Sequence, residues 1–387
     1  MNRLPNNFEF VFRGNIFFGV SSRYYLLSIL QENNFKNPCV VIDEGLLGLH
    51  IIEELVEKIS NVTIVKCDIS EPTYTILEEK RNAIMDIDID VFIGIGGGSA
   101  MDMAKGLSVI YTNKGAALSY RGFNLFKEPI MPIIAVPTTA GTGSEITPNA
   151  SFIDTLDKKK MGINGEGIRP KFAILDPELT ISCPKSPTIS AGLDSLVHAT
   201  EAYVAKKSNP LAKMFAKKGF ELVFENLPLL VEDLNDIKLR YDVMYGAFLS
   251  AIALMNSGTG PAAAMSYPLG VHYGVPHGIG GAIFLPHVVK LNIDSGYNGY
   301  FDLVDYNHAD FQKNEKLDQD FLSKMKEIWD VLGVPKDIKT FGVTLDNLDQ
   351  FLSDTLELTG ALEQNPIPFG REQIEAVLMN LNIVNSK

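Results

Sequence analysis

The sequence predicts a two-part α/β plus all-α architecture: an open parallel sheet with covering helices over residues 1–185, then a helical region over 186–387. Three observations carry this. Four short apolar runs, at 39–42, 62–65, 91–95 and 133–136, alternate with amphipathic stretches of helical length, the pattern of parallel strands joined by crossover helices. Three of the runs end in turn-forming or polar residues: Asp43-Glu44-Gly45, Gly96-Gly97-Gly98 and Pro137-Thr138-Thr139. That places polar loops at the carboxyl ends of strands, where open α/β sheets bind ligands. From Thr188 onward helix-compatible segments dominate, broken at Asn209-Pro210, at Pro228 and over 258–261. A cleft between the two parts is the expected active site.

Composition narrows the class. With 387 residues, 46% of them hydrophobic and 21% charged, the chain can bury a sizeable core, and its length favours two domains. The first twenty residues lack a basic start followed by an apolar run, and no eighteen-residue apolar stretch occurs, so neither secretion nor a membrane partner is expected. Cys39, Cys67 and Cys183 show no CxxC spacing, which points to reduced thiols and a cytoplasmic location. A formal charge of −13 repels a phosphate backbone, and the run Lys158-Lys159-Lys160 is too short to reverse that field. Nucleic acid is therefore excluded as a partner, and a small molecule is expected.

The loop Gly94-Ile95-Gly96-Gly97-Gly98-Ser99 follows a buried-strand pattern and precedes a helix-like segment. Glycines without Cβ let backbone approach a pyrophosphate, and the free N–H groups at a helix start point at negative charge. Ser99 stands where a GxGxxG fingerprint needs its last glycine, so an ordinary tight turn is the competing reading. Asp43, at the end of an earlier strand, reads either as a solvated loop carboxylate or as an acceptor for ribose hydroxyls. In the second role it would repel a 2′-phosphate and favour NAD over NADP. Residues 137–144 form a second small-residue loop, rich in hydroxyls and N–H donors.

In the helical part, Asp194 and His198 are four residues apart, so both side chains leave one helix face. They form either a hydrogen-bonded pair or two ligands of a metal. Among turn residues further on, His272 and His277 can complete a divalent site.

These segments together resemble the iron-containing alcohol dehydrogenases. The matching stretches are GGGSAMDMAK (96–105), PTTAGTGSE (137–145), LDPELT (175–180), GLDSLVHATEAY (192–203), PHG (276–278) and LPHVVKLN (285–292). The resemblance implies a Rossmann-like dinucleotide-binding domain and an all-helical metal domain, an architecture shared with dehydroquinate synthase, assembled as a homodimer or higher homo-oligomer. It implies NAD, with NADP as the alternative, and a divalent metal, Fe2+ or Zn2+. Carried over by position, Asp43, Gly97, Gly98, Ser99, Asp102, Thr138, Thr139, Thr142, Asn149, Lys160 and Leu179 are the expected cofactor contacts. Asp194, His198 and His277 are the expected metal ligands.

The chain departs from the family at two points. Ala263 stands where the resemblance places a further ligand histidine, fourteen residues before His277, and Tyr267 stands where another histidine precedes Pro268-Leu269-Gly270. The glycerol dehydrogenases, at different positions, hold a metal with three protein ligands. His272 reads either as a loop histidine hydrogen-bonded to water or backbone or as a substitute ligand, and Tyr267 and His272 are the candidate catalytic proton carriers. The implied activity is hydride exchange between nicotinamide and a primary alcohol or aldehyde. Alternatives are oxidation of a sugar acid such as 3-deoxy-octulosonate, reduction of a phosphonoacetaldehyde-type substrate, a dehydroquinate synthase-like lyase, and a nucleotide-binding pseudoenzyme without metal.

Overall fold

A computed structural model describes residues 7–68, 71–304, 315–344 and 347–381. It divides into two compact units, one of Phe12–Cys183 with Asn235–Met244, the other of Pro184–Leu234 and Tyr245–Lys387 with the stretch ending at Val11. The division passes between Cys183 and Pro184, and it includes two chain excursions that the simple sequence boundary at 185 lacks.

The first unit is built on six parallel strands: β1 (Asn15–Phe18), β2 (Pro38–Asp43), β3 (Thr63–Cys67), β4 (Val91–Gly96), β5 (Ile133–Pro137) and β6 (Phe172–Leu175). Their order across the sheet is β1-β6-β5-β4-β2-β3. The strands at 38–43, 63–67, 91–96 and 133–137 coincide with the four apolar runs, while β1 and β6 were not anticipated. Each has only four residues, NIFF and FAIL, too short for a periodicity of two to stand out.

Parallel strands need covering on both faces, and alternate residues supply it. Val40, Ile42, Ile93 and Ile95 pack with Leu26, Ile29 and Leu30 of α1 (Tyr25–Glu32) and with Ile52 and Leu55 of α2 (His50–Glu57). Cys39, Val41, Val65 and Phe92 turn the other way, onto Leu77 and Ile84 of α3 (Tyr74–Ile84) and Met103 and Leu107 of α4 (Gly98–Thr112). The sheet is thereby enclosed, and only the loops at its strand ends remain for chemistry. Short two-residue strands follow β5; Lys159–Lys160 pairs antiparallel with Ile153–Asp154, and Asn149–Ala150 with Ile163–Asn164.

The second unit is helical among the described residues. It contains α5 (Lys185–Val204), α6 (Pro210–Leu230), most of α7 (Ile237–Ser257), α8 (Pro261–Tyr273), α9 (His277–Asp294), α10 (Glu315–Val331), α11 (Leu348–Leu356), α12 (Thr359–Leu362) and α13 (Arg371–Asn380). Asn209 caps α6 by accepting from the N–H groups of Leu211 and Ala212 at 3.1 and 3.0 Å, with Pro210 at the first helical position, where its missing N–H costs nothing. Pro228, read from sequence as a break, lies inside the last turn of α6. Only one intrahelical bond is lost there, so the helix runs on to Leu230.

Candidate active site

At the carboxyl end of β4 the chain passes through Gly96 and Gly97 directly into α4. Gly96 has φ +149°, and a Cβ there would lie 2.8 Å from the Ala100 methyl and 2.9 Å from Asp43 Cβ. Any side chain would wedge the first loop away from Asp43. Gly98 has the same relation to the second loop, since its Cβ would lie 2.9 Å from Thr142 Cγ2. A Cβ on Gly97 would meet Thr139 at an ordinary 3.6 Å. Thr138 is buried, and its N–H donates to the Gly96 carbonyl at 2.9 Å. The structure thus brings together Asp43, Gly97, Gly98, Thr138, Thr139 and Thr142, with Ser99 in the first turn of α4. The N–H groups of such a first turn have no helical carbonyl to bond, which suits an anion.

Asp43 ends β2 and accepts a hydrogen bond from the Gly45 N–H at 2.9 Å. Partial burial raises its pKa above the ordinary carboxylate value, and the charges of Asp68 and Glu44 push the same way against that hydrogen bond. Negative potential therefore gathers at the ends of β2 and β3.

Other expected cofactor contacts are engaged within the protein. Asp102 accepts from the Ser144 hydroxyl at 2.5 Å and from the Ser151 N–H at 2.8 Å. Beside it, fully buried Lys105 donates to Ser144 Oγ and to the Asn149 carbonyl, both at 2.7 Å, and to the Thr147 carbonyl at 3.1 Å. Burial lowers the Lys105 pKa to about 8, and burial raises that of Asp102. This polar knot ties the second loop to α4, a role the sequence reading did not foresee for Lys105 or Ser144. Asn149 Nδ2 donates to Asn164 Oδ1 at 2.8 Å, Lys160 bonds Glu71, and Leu179 is packed in the core beneath the sheet.

In the helical unit, Asp194 and His198 project from α5 and His277 is the first residue of α9. Each offers a ligand atom, and the three atoms lie within 4.8 Å of one another. Asp194 Oδ1 is 3.5 Å from His198 Nε2 and 3.8 Å from His277 Nε2. Asp194 and His198 are buried, and His277 is partly so. A carboxylate with two imidazoles is a donor set suited to a divalent transition metal, so the residues present fit one. The Tyr267 ring stands edge-on to His277, centroids 4.9 Å apart. His272 has Nε2 2.7 Å from Asp354 Oδ2 of α11 and is not part of the ligand cluster.

Glu201, one turn beyond His198, explains how α8 is held. Its buried carboxylate accepts from the Thr259 hydroxyl and from the N–H groups of Gly260 and Ala262, each at 2.7 Å, and from Ala263 at 3.4 Å. Burial raises its pKa against these stabilising bonds. The 194, 198, 201 spacing carried that signal, because all three lie on one stripe of α5. Ala263 is itself buried, 2% exposed, and its methyl offers no donor.

The known proteins that resemble this chain agree on one family. The description "Iron-containing alcohol dehydrogenase" matches residues 14–177, and "Fe-containing alcohol dehydrogenase family, C-terminal" matches residues 188–381. Alcohol dehydrogenase 4 of Saccharomyces cerevisiae is 28% identical over 372 residues, covering 94% of this chain and 95% of its own. NAD-dependent methanol dehydrogenase of Bacillus methanolicus is 35% identical over 268 residues, 68% of this chain and 70% of its own. The crystal structure of a 1,3-propanediol oxidoreductase superposes with a TM-score of 0.90 at 26% identity, covering 97% of this chain and all of that one. With both halves matched in order, the chain belongs to the iron-containing alcohol dehydrogenase family and is an NAD-dependent oxidoreductase acting on CH–OH groups of alcohols, or on the corresponding aldehydes.

Proposed function

We propose that this protein interconverts a small primary alcohol and its aldehyde with NAD(H), using a divalent metal, Fe2+ or Zn2+, held by three side chains. The observation that carries this reading is the convergence of Asp194, His198 and His277 within 4.8 Å. The names of the relatives above, a methanol dehydrogenase and a propanediol oxidoreductase, support a short alcohol as substrate.

A metal held by Asp194, His198 and His277 would supply polarisation of the substrate oxygen, a contribution of roughly several kcal/mol, and a bound nicotinamide would supply the hydride chemistry. The chain's own residues do the rest. Backbone N–H groups at the start of α4 hold the pyrophosphate, with no side chain on Gly97 or Gly98 to stand in its way. Asp43 accepts from the adenosine ribose, and the negative potential it shares with Glu44 and Asp68 disfavours a 2′-phosphate, which selects NAD. Asp194 neutralises charge at the metal while His198 and His277 present nitrogen lone pairs. In aldehyde reduction the Tyr267 hydroxyl donates its proton to the forming alkoxide and regains one from water, and in alcohol oxidation the same relay runs in reverse, with the His272–Asp354 pair as a second carrier. Ala263 supplies no donor, so the metal is held less tightly than by four protein ligands.

The test is elemental analysis of protein purified without chelator, followed by NADH oxidation against a panel of aldehydes with and without added Fe2+ or Zn2+. Net, metal-dependent NADH consumption is expected. A lyase would regenerate its cofactor, and a pseudoenzyme would show neither metal nor turnover; either result overturns the proposal. Ala263→His is expected to tighten metal binding by about tenfold through an added imidazole, read by calorimetry.

A further inference from the structure

His277 Nδ1 lies 2.6 Å from the hydroxyl oxygen of Ser266 on α8, and the same oxygen lies 2.6 Å from the carbonyl oxygen of Ala263 one turn earlier. A serine hydroxyl carries one proton, and a carbonyl only accepts. The hydroxyl proton therefore goes to Ala263, and the Ser266 oxygen accepts from Nδ1–H of His277. The opposite tautomer would leave two acceptors, Nδ1 and the Ala263 carbonyl, competing for one proton. With the proton on Nδ1, Nε2 keeps a bare lone pair, and Nε2 is the nitrogen that faces Asp194 Oδ1 at 3.8 Å.

We infer that Ser266 is a positioning residue that selects the Nδ1–H tautomer of His277 and aims its Nε2 as a ligand nitrogen. The role in metal binding rests on the three-ligand reading above, whereas the tautomer stands without it. The close packing of α8 on α9 keeps the serine near the histidine. A Cβ on Gly280 would lie 3.0 Å from Ser266 Cβ and 3.3 Å from its Cα, so a side chain there would push α9 away from the serine by a few tenths of an ångström. His198 makes the contrast. Its Nδ1 is buried and has no hydrogen-bond partner among the described residues, so no such bond selects its tautomer. Hydrogen bonds from a ligand histidine's second nitrogen fix ring and tautomer and typically change metal affinity by about 10- to 100-fold. With Ala263 removing a donor, each remaining imidazole carries a larger share.

The experiment uses full-length, metal-free protein with 15N-labelled histidine, in alkaline buffer where the imidazoles are neutral. Long-range 15N–1H correlation assigns the proton on each of the six histidines. Wild type is expected to show His277 with Nδ1–H, and Ser266→Ala to show Nε2–H or a mixture. In parallel, calorimetric titration with Zn2+ and the visible spectrum of the Co2+ form are expected to show binding weakened about tenfold or more and a shifted ligand-field band in the variant. Ser266→Cys, which keeps the volume but is a poor acceptor, repeats the measurement should the alanine variant melt early. The proposal is overturned by Nε2–H in wild type, or by variants that keep the wild-type tautomer and metal affinity. A wild type with the expected tautomer that binds neither Zn2+ nor Co2+ defeats the metal centre while the tautomer assignment stands.

Discussion

At the carboxyl ends of β2, β4 and β5 the working surface is mostly backbone, kept open by what the residues lack, whereas in the helical unit it is made of side chains projected from helices distant in sequence. Gly96 and Gly98 matter because no Cβ fits between the loops. Asp194, His198 and His277 matter because their ligand atoms come within 4.8 Å although 83 residues of chain separate the first from the last. The first site, as proposed, would recognise a large anion through distributed N–H groups. The second would gather a small cation's ligands at a point. Damage should therefore be local in kind: a wedge in the glycine loop should spoil cofactor binding, and a lost imidazole should spoil metal binding.

The largest expected effect comes from His277→Ala. Losing one of three ligands should lower aldehyde reduction by about a thousandfold, since several kcal/mol of polarisation is at stake and about 1.4 kcal/mol is a factor of ten. NADH affinity, read by fluorescence titration, should stay within about twofold; if it falls in step with activity, the two regions are not separable. Next is Gly96→Val, which forces a β-branched residue into a φ of +149° and against Asp43 and Ala100. A strain of about 1–3 kcal/mol is expected, with NADH affinity falling by tenfold or more while metal content is unchanged. Loss of metal in that variant would break the comparison from the other side.

Asp43→Asn sharpens the cofactor side. Removing one carboxylate from the Asp43, Glu44 and Asp68 group should narrow the preference for NADH over NADPH about tenfold, read as the ratio of kcat/KM values. An unchanged ratio would mean that Asp43 does not meet the ribose. The smallest effect concerns pH. His287 on α9 is half-buried beside Lys326, and desolvation lowers its pKa from 6.5 to about 4. Between those values the unfolded chain binds a proton that the folded one refuses, so stability falls as pH drops from 6.5 toward 4. Denaturant midpoints across that window should flatten in His287→Leu, and an equal slope in the variant would assign the acid loss to other groups.

Much of this was legible in the chain. The four apolar runs found four of the six strands, and the Asp194/His198 spacing found a shared helix face, because both signals are periodic and local. What escaped was local but weak, or not local at all. β1 and β6 are too short to show a period. Pro228 looked like a break because sequence does not show how little helix remains beyond it. The internal partners of Asn149, Lys160 and Asp102, namely Asn164, Glu71 and Ser144, were also not readable from spacing. Ser266 gave no signal, because a serine in a helix is unremarkable until a histidine eleven residues away turns toward it.

By itself the sequence determined the chemistry available: which strands end in glycine, which helix carries Asp194 and His198, and that Ala263 brings no ligand. These follow from backbone freedom and side-chain period, which act over a few residues. Only the tertiary structure decided which groups meet. The approach of α9 to α5 joins His277 to the pair, Glu201 pins the start of α8, and the contact at Gly280 lets Ser266 reach His277. Those meetings depend on helix packing at the scale of an ångström, and composition and spacing do not encode it at that precision.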